Sequence, residues 1–124
     1  MKSLDLVVRL EWVFVAVAAL LAYAIWGGSW LLFALLALAP DLSFLGYLGG
    51  PRVGALAYNA LHTLFGPFVL LAVAMMAGHS DPALSVGLIW LLHIAIDRAL
   101  GYGLKLPSGF QDTHLGRIGR DLSP

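Results

Sequence analysis

Leu6 to Trp26 reads LVVRLEWVFVAVAALLAYAIW, an apolar run whose only charges, Arg9 and Glu11, fall near its start. A helix of that length is roughly 30 Å long at about 1.5 Å per residue, enough to cross the hydrocarbon core of a bilayer. Gly27-Gly28 ends it, and three runs of the same kind follow. Ser29 offers an N-cap for the second, Trp30 to Leu48, which Gly49-Gly50-Pro51 stops, because glycine accepts the left-handed cap and proline cannot extend the hydrogen-bond ladder. The third goes from about Ala55 to Ala77, with Gly66-Pro67 expected to kink it. The fourth follows Ser80-Asp81-Pro82, a cap with proline at the first helical position, and ends at Leu100. The sequence therefore predicts helices at about 6–26, 30–48, 55–77 and 82–100 and a tail over 101–124. This is an all-α integral membrane four-helix bundle in a single transmembrane domain.

Composition agrees. Of the 124 residues, 60% are hydrophobic and 11% charged, against about half and a quarter in soluble domains. There is no cysteine, which excludes disulfides, thiolate metal sites and cysteine nucleophiles. Seven basic and seven acidic residues leave no net charge, so a nucleic-acid partner has no electrostatic basis. A signal peptide is the competing account of the first run, since Lys2 and Arg9 precede an apolar stretch with alanines. The run is longer than a signal core, carries Glu11, and its removal would leave three spans of unbalanced topology.

The seven basic residues set the expected orientation. Lys2 and Arg9 precede the first span, Arg52 lies between the second and third, and Arg98, Lys105, Arg117 and Arg120 lie at or beyond the end of the fourth. The loops at Gly27–Ser29 and Gly78–Asp81 have none, and His79 reads as a plain loop residue. The positive-inside rule then puts both termini in the cytoplasm.

Ionisable groups inside a membrane are costly, so each is a candidate for function or for a paired structural role. Here they are Glu11, Asp41, His62, His93 and Asp97, with Tyr58 and Asn59 beside them. Counting from the span ends at about 1.5 Å per residue places all of them within roughly 5 to 12 Å of the cytoplasmic boundary. His93 with Asp97, and Tyr58 with His62, are four apart and share a helix face. Asp41 follows Pro40 in an apolar run with no basic residue near it in sequence, so it must be protonated, paired across helices or bound to a cation. His114, in the tail, could fold back over this layer. Imidazoles plus a carboxylate are the ligand set of zinc or non-haem iron, with a further carboxylate left as base. The bland alternatives are a hydrogen-bonded structural contact for His93 with Asp97, and neutralisation of Glu11 by Arg9 or Arg98.

Several blocks in order carry a resemblance: Arg9-Leu10-Glu11, Ala39-Pro40-Asp41-Leu42-Ser43-Phe44-Leu45-Gly46-Tyr47, Tyr58-Asn59 with His62, Asp97-Arg98-Ala99-Leu100-Gly101-Tyr102-Gly103-Leu104-Lys105, and Thr113-His114-Leu115-Gly116. Together they resemble a family of small prokaryotic membrane proteins, domain of unknown function 4260. The resemblance implies a multi-pass protein of the prokaryotic cytoplasmic membrane and adds weight to Asp41, His62, Asp97 and His114 as a set. It implies no activity.

Three functional expectations follow. The first is a metal-dependent hydrolase, zinc the foremost metal, acting on a lipid or other apolar substrate. His62, His93, His114 and Asp97 supply metal ligands, while Asp41, Asp97, Tyr58 and Asn59 form the catalytic set, in which Asp41 is the base and Tyr58, Asn59 or Tyr102 is an oxyanion donor. The second is a homodimeric proton-coupled carrier using Asp41, Glu11 and Asp97 as protonation sites. The third is a non-enzymatic structural or partner protein whose polar layer only locks the bundle. Membrane lipids are the expected surroundings in each.

Overall fold

In a computed structural model the chain is described over residues 3–78, 81–109 and 111–117. Lys2, His79, Ser80, Arg120 and the tail beyond 117 lie outside the described residues. Among the described residues there are five α-helices, α1 Ser3–Trp26, α2 Trp30–Leu36, α3 Pro51–His62, α4 Phe65–Met76 and α5 Asp81–Leu100, with a 3-10 segment at Ala39–Gly49. They make four segments long and apolar enough to cross a membrane: Ser3–Trp26, Trp30–Gly49, Pro51–Met76 and Pro82–Leu100. Among the described residues the surface is correspondingly apolar, with Phe14, Leu31, Leu48, Phe65 and Met76 all exposed, as lipid contact requires.

The first and fourth spans are continuous and antiparallel. Arg9 Nε donates to Ala99 O at 2.7 Å at one end, and Gly28 N donates to Ser85 Oγ at 2.7 Å at the other. Between them Tyr23 is buried with Leu88 and Ile89. Its ring meets Trp30 and Phe33 at centroid separations of 5.2 and 5.1 Å.

The second span, expected to be continuous, and the third, expected only to kink, are both broken. In the second, α2 stops at Leu36 and the chain tightens into 11 residues of 3-10 helix, although such runs rarely exceed about four. Pro40 is the cause: it has no N–H for the Leu36 carbonyl, and its ring crowds that turn. In the third span the break falls at Thr63-Leu64, where Thr63 is extended at φ −89°, ψ 158°. That is four residues before Pro67, where a proline ring collides with the preceding turn. Gly66 then lets α4 approach α5, since a Cβ there would strike the Trp90 ring. The break changes neighbours along the third span: α3 packs on the 3-10 segment and α4 on α5.

Beyond α5, Gly101 at φ 91° ends the helix. Tyr102 N donates to Asp97 O at 2.8 Å and Gly101 N to Arg98 O at 3.0 Å, the pair of bonds of a Schellman cap. The tail then turns back. Asp112–Thr113 pairs with Gly116–Arg117, and Lys105 bridges to Thr113.

Candidate metal centre

Each helix break exposes carbonyl groups that a continuous helix would have consumed, and the site is built on them. Asp41 N bonds Leu38 O at 3.0 Å, the 3-10 pattern, which leaves Ala37 O without its helical donor. His93 Nδ1 takes it at 2.7 Å. At the other break Trp90 Nε1 donates to Leu61 O at 2.6 Å and Arg98 Nη2 to His62 O at 3.0 Å. His62 Nδ1 lies 2.8 Å from Tyr58 O. A carbonyl can only accept, so both Nδ1 atoms carry hydrogen, and in the neutral rings both Nε2 atoms present lone pairs.

Those two Nε2 atoms face each other at 3.3 Å. Asp41 Oδ1 lies 3.2 Å from His62 Nε2 and 3.1 Å from His93 Nε2; Asp97 Oδ2 lies 3.5 and 3.4 Å from the same atoms. The four ligand atoms lie within 4.8 Å of one another. A single proton on one imidazole satisfies one acceptor and leaves the others crowded. A cation at the centre satisfies all four, and a tetrahedral ion with bonds of about 2.0–2.1 Å needs ligand separations of about 3.3–3.4 Å. The four side chains thus form a group that could hold a metal ion, and the hydrogen bonds from Nδ1 to backbone carbonyls are the usual means of aiming an imidazole at one.

Burial grades the four. His62 is fully enclosed and His93 nearly so, whereas the Asp97 side chain is 17% and the Asp41 side chain 34% exposed. Tyr58 stacks on His62 with ring centroids 3.7 Å apart and Phe44 stacks on Tyr58 at 5.4 Å, so the His62 ring has little freedom to turn. Lys105 Nζ sits 5.0 Å from the centre of the Tyr58 ring.

The expected polar layer is brought together only in part. Asp41, His62, His93 and Asp97 converge, with Tyr58 beside them. Glu11 is exposed on α1 and does not join. Asn59 is committed elsewhere, its Nδ2 donating to Lys105 O at 2.8 Å and its Oδ1 accepting from Lys105 N at 2.7 Å. His114 stays in the tail, exposed, with Nδ1 accepting from Leu104 N at 2.7 Å. Tyr102 is exposed. Sequence reasoning passed over Trp90 and used Arg98 only to set orientation and to neutralise Glu11; their roles as carbonyl donors follow from the break before Pro67, and that proline was the available signal.

A family model described as Domain of unknown function (DUF4260) matches residues 5–118. The chain belongs to that family. The DUF4260 match takes in all four converging residues and the tail bridge. No curated protein and no solved structure matches the chain.

Proposed function

We propose that this DUF4260 protein is a metal-dependent membrane hydrolase, with zinc as the ion and a lipid or other apolar molecule as the substrate. The observation that carries the reading is the set of five separations of 3.1–3.5 Å among Asp41 Oδ1, His62 Nε2, His93 Nε2 and Asp97 Oδ2. Two imidazoles and a carboxylate make the donor set of hydrolytic zinc sites, and the second carboxylate is available for proton transfer. Bound zinc supplies Lewis acidity and lowers the pKa of a bound water toward about 7.

In this reading His62, His93 and Asp97 hold the ion. Asp41, the most exposed of the four, takes the proton from water as it adds to a carbonyl carbon and returns it to the leaving alcohol or amine. Tyr58 keeps the His62 ring oriented by stacking, and Asn59 holds the tail across that end of the bundle. The grouping of Arg9, Arg52, Arg98 and Lys105 toward the cluster's end supports a cytoplasmic sidedness, in the prokaryotic inner membrane with its lipids as neighbours.

Elemental analysis of protein purified in detergent tests the assignment. One zinc per chain is expected, lost in His62→Ala and His93→Ala, whereas Asp41→Asn keeps metal and loses turnover of ester or amide lipids. Protein that is metal-free and rebinds none would end the reading.

One observation favours a second reading, a homodimeric proton-coupled carrier. The second and third spans both lose helical continuity beside the cluster, the arrangement in which carriers place their ion sites. Proteoliposomes distinguish the two: a carrier moves a ligand with proton counterflow that falls in Asp41→Asn, and a hydrolase moves none.

A further inference from the structure

The second span is packed unevenly. Its 3-10 half is seated on α3, while its contact with α5 is slight; α5 packs closely on α1 and α4. Asp41 on the one side and His93 and Asp97 on the other therefore face each other across a seam that their own helices do not close. A cavity of about 200 Å³ occupies it, lined by Phe33, Leu38, Ile89, Leu92 and Ile96 on its apolar side and by Asp41, His93 and Asp97 on its polar side. Leu38 and Ile96 are 71% and 45% exposed. They belong to membrane-spanning segments, so this mouth faces hydrocarbon.

From this we infer that the seam between the second and fourth spans admits a single-chain acyl amphiphile sideways from the membrane, its alkyl chain between Leu38 and Ile96 and its ester or amide carbonyl at the cluster. The inference rests on the metal-centre reading above. A cavity apolar at its membrane mouth and ionic at its inner end matches a molecule apolar at one end and polar at the other. Its volume of about 200 Å³ suits part of one alkyl chain. A bilayer-facing mouth also solves a delivery problem, because a chain already dissolved in lipid reaches the seam without crossing water. Water adds to the carbonyl carbon, the bond to oxygen or nitrogen breaks, the fatty acid forms, and the alcohol or amine leaves with the proton that Asp41 accepted.

Leu38→Trp and Ile96→Trp fill the mouth from exposed positions and leave the four cluster residues in place. Zinc-loaded wild type and both variants are titrated with acetohydroxamate and dodecanohydroxamate in one detergent, so that partition of the long chain into micelles is common to all. Acetohydroxamate should bind all three within about twofold. Dodecanohydroxamate should bind the variants at least tenfold more weakly than wild type. Equal binding of the long probe by all three proteins overturns the inference, as does bound zinc that takes neither probe. Failure of zinc itself to bind overturns the metal reading and this inference with it, and is recorded before either probe is added.

Discussion

At the Tyr23 end of the bundle and at the Asp41 end, the same kind of apolar helix is held in place in different ways. Around Tyr23, Leu88 and Ile89 the first and fourth spans are continuous, and apart from the Gly28 N–Ser85 Oγ bond contact is made by rings and aliphatic side chains. Around Asp41 and His62 two spans are interrupted, and the freed carbonyls of Ala37, Leu61 and His62 are taken by side chains of α5. Unbroken helix gives packing and offers few backbone groups with which to aim a side chain. The prolines at 40 and 67 exchange regular helix for carbonyl acceptors, and those acceptors fix His93 directly and the α3 terminus that carries His62.

The largest effect that would sharpen this contrast is loss of a ligand. His62→Ala or His93→Ala should lower metal affinity by more than the roughly 10–100-fold typical of losing an outer-shell partner, read by competition with a chelating dye. Stripping the metal comes next. Chelator should lower the melting temperature of wild type, by linkage equivalent to about 2.7 kcal/mol where free metal stands at 100 times Kd, and should leave both alanine variants unmoved. Because imidazole must be neutral to ligate and protons compete with the metal for it, the same affinity should fall as the pH is lowered.

Trp90→Phe keeps the ring that packs on Gly66 and removes the donor to Leu61 O. A loss of about 1–3 kcal/mol in thermal denaturation is expected if that carbonyl is left unmet, together with weaker metal binding; an unchanged melting curve would mean that the break is held by other contacts. Asn59→Ala removes the clamp on Lys105 and should cost about 1 kcal/mol, with faster proteolytic cleavage in the tail. Lys105 gives the smallest effect. Burial pushes its ammonium below the usual 10.5, against the opposing pull of Asp97 and Asp41. The unfolded chain therefore keeps that proton where the folded chain has released it, so stability rises with pH in the window just below 10.5. Lys105→Met should flatten that rise.

The spans were legible because a bilayer imposes length and apolarity on every one of them, and these are read directly from residues. Convergence of Asp41, His62, His93 and Asp97 was legible because depth follows from counting and face from a spacing of four. Less accessible was the position of each break. The sequence shows Pro67, but the rupture falls four residues earlier, at the carbonyl its ring displaces. His114 was read as a ligand because its position in sequence allowed it to reach the layer. The hydrogen bond from Leu104 N that holds it in the tail depends on the fold of 104–116, which has no periodic signal. Asn59 was read as a catalytic donor for the same reason: nothing local reveals that the Lys105 backbone would claim both ends of its amide.

The separations in sequence within the cluster bear on how such a protein is made. Asp41 precedes His62 by 21 residues and His93 by 52, so a ribosome delivers the carboxylate to the bilayer before either imidazole exists. During that interval it is an acidic group in a nascent hairpin, with an insertion penalty of about 2.5–3.5 kcal/mol carried by the mean hydropathy of 1.9 in its own span. The four side chains come together only when α5 arrives, so in the metal-centre reading proposed above loading would be a late event in biogenesis and a marker that the last span has been threaded.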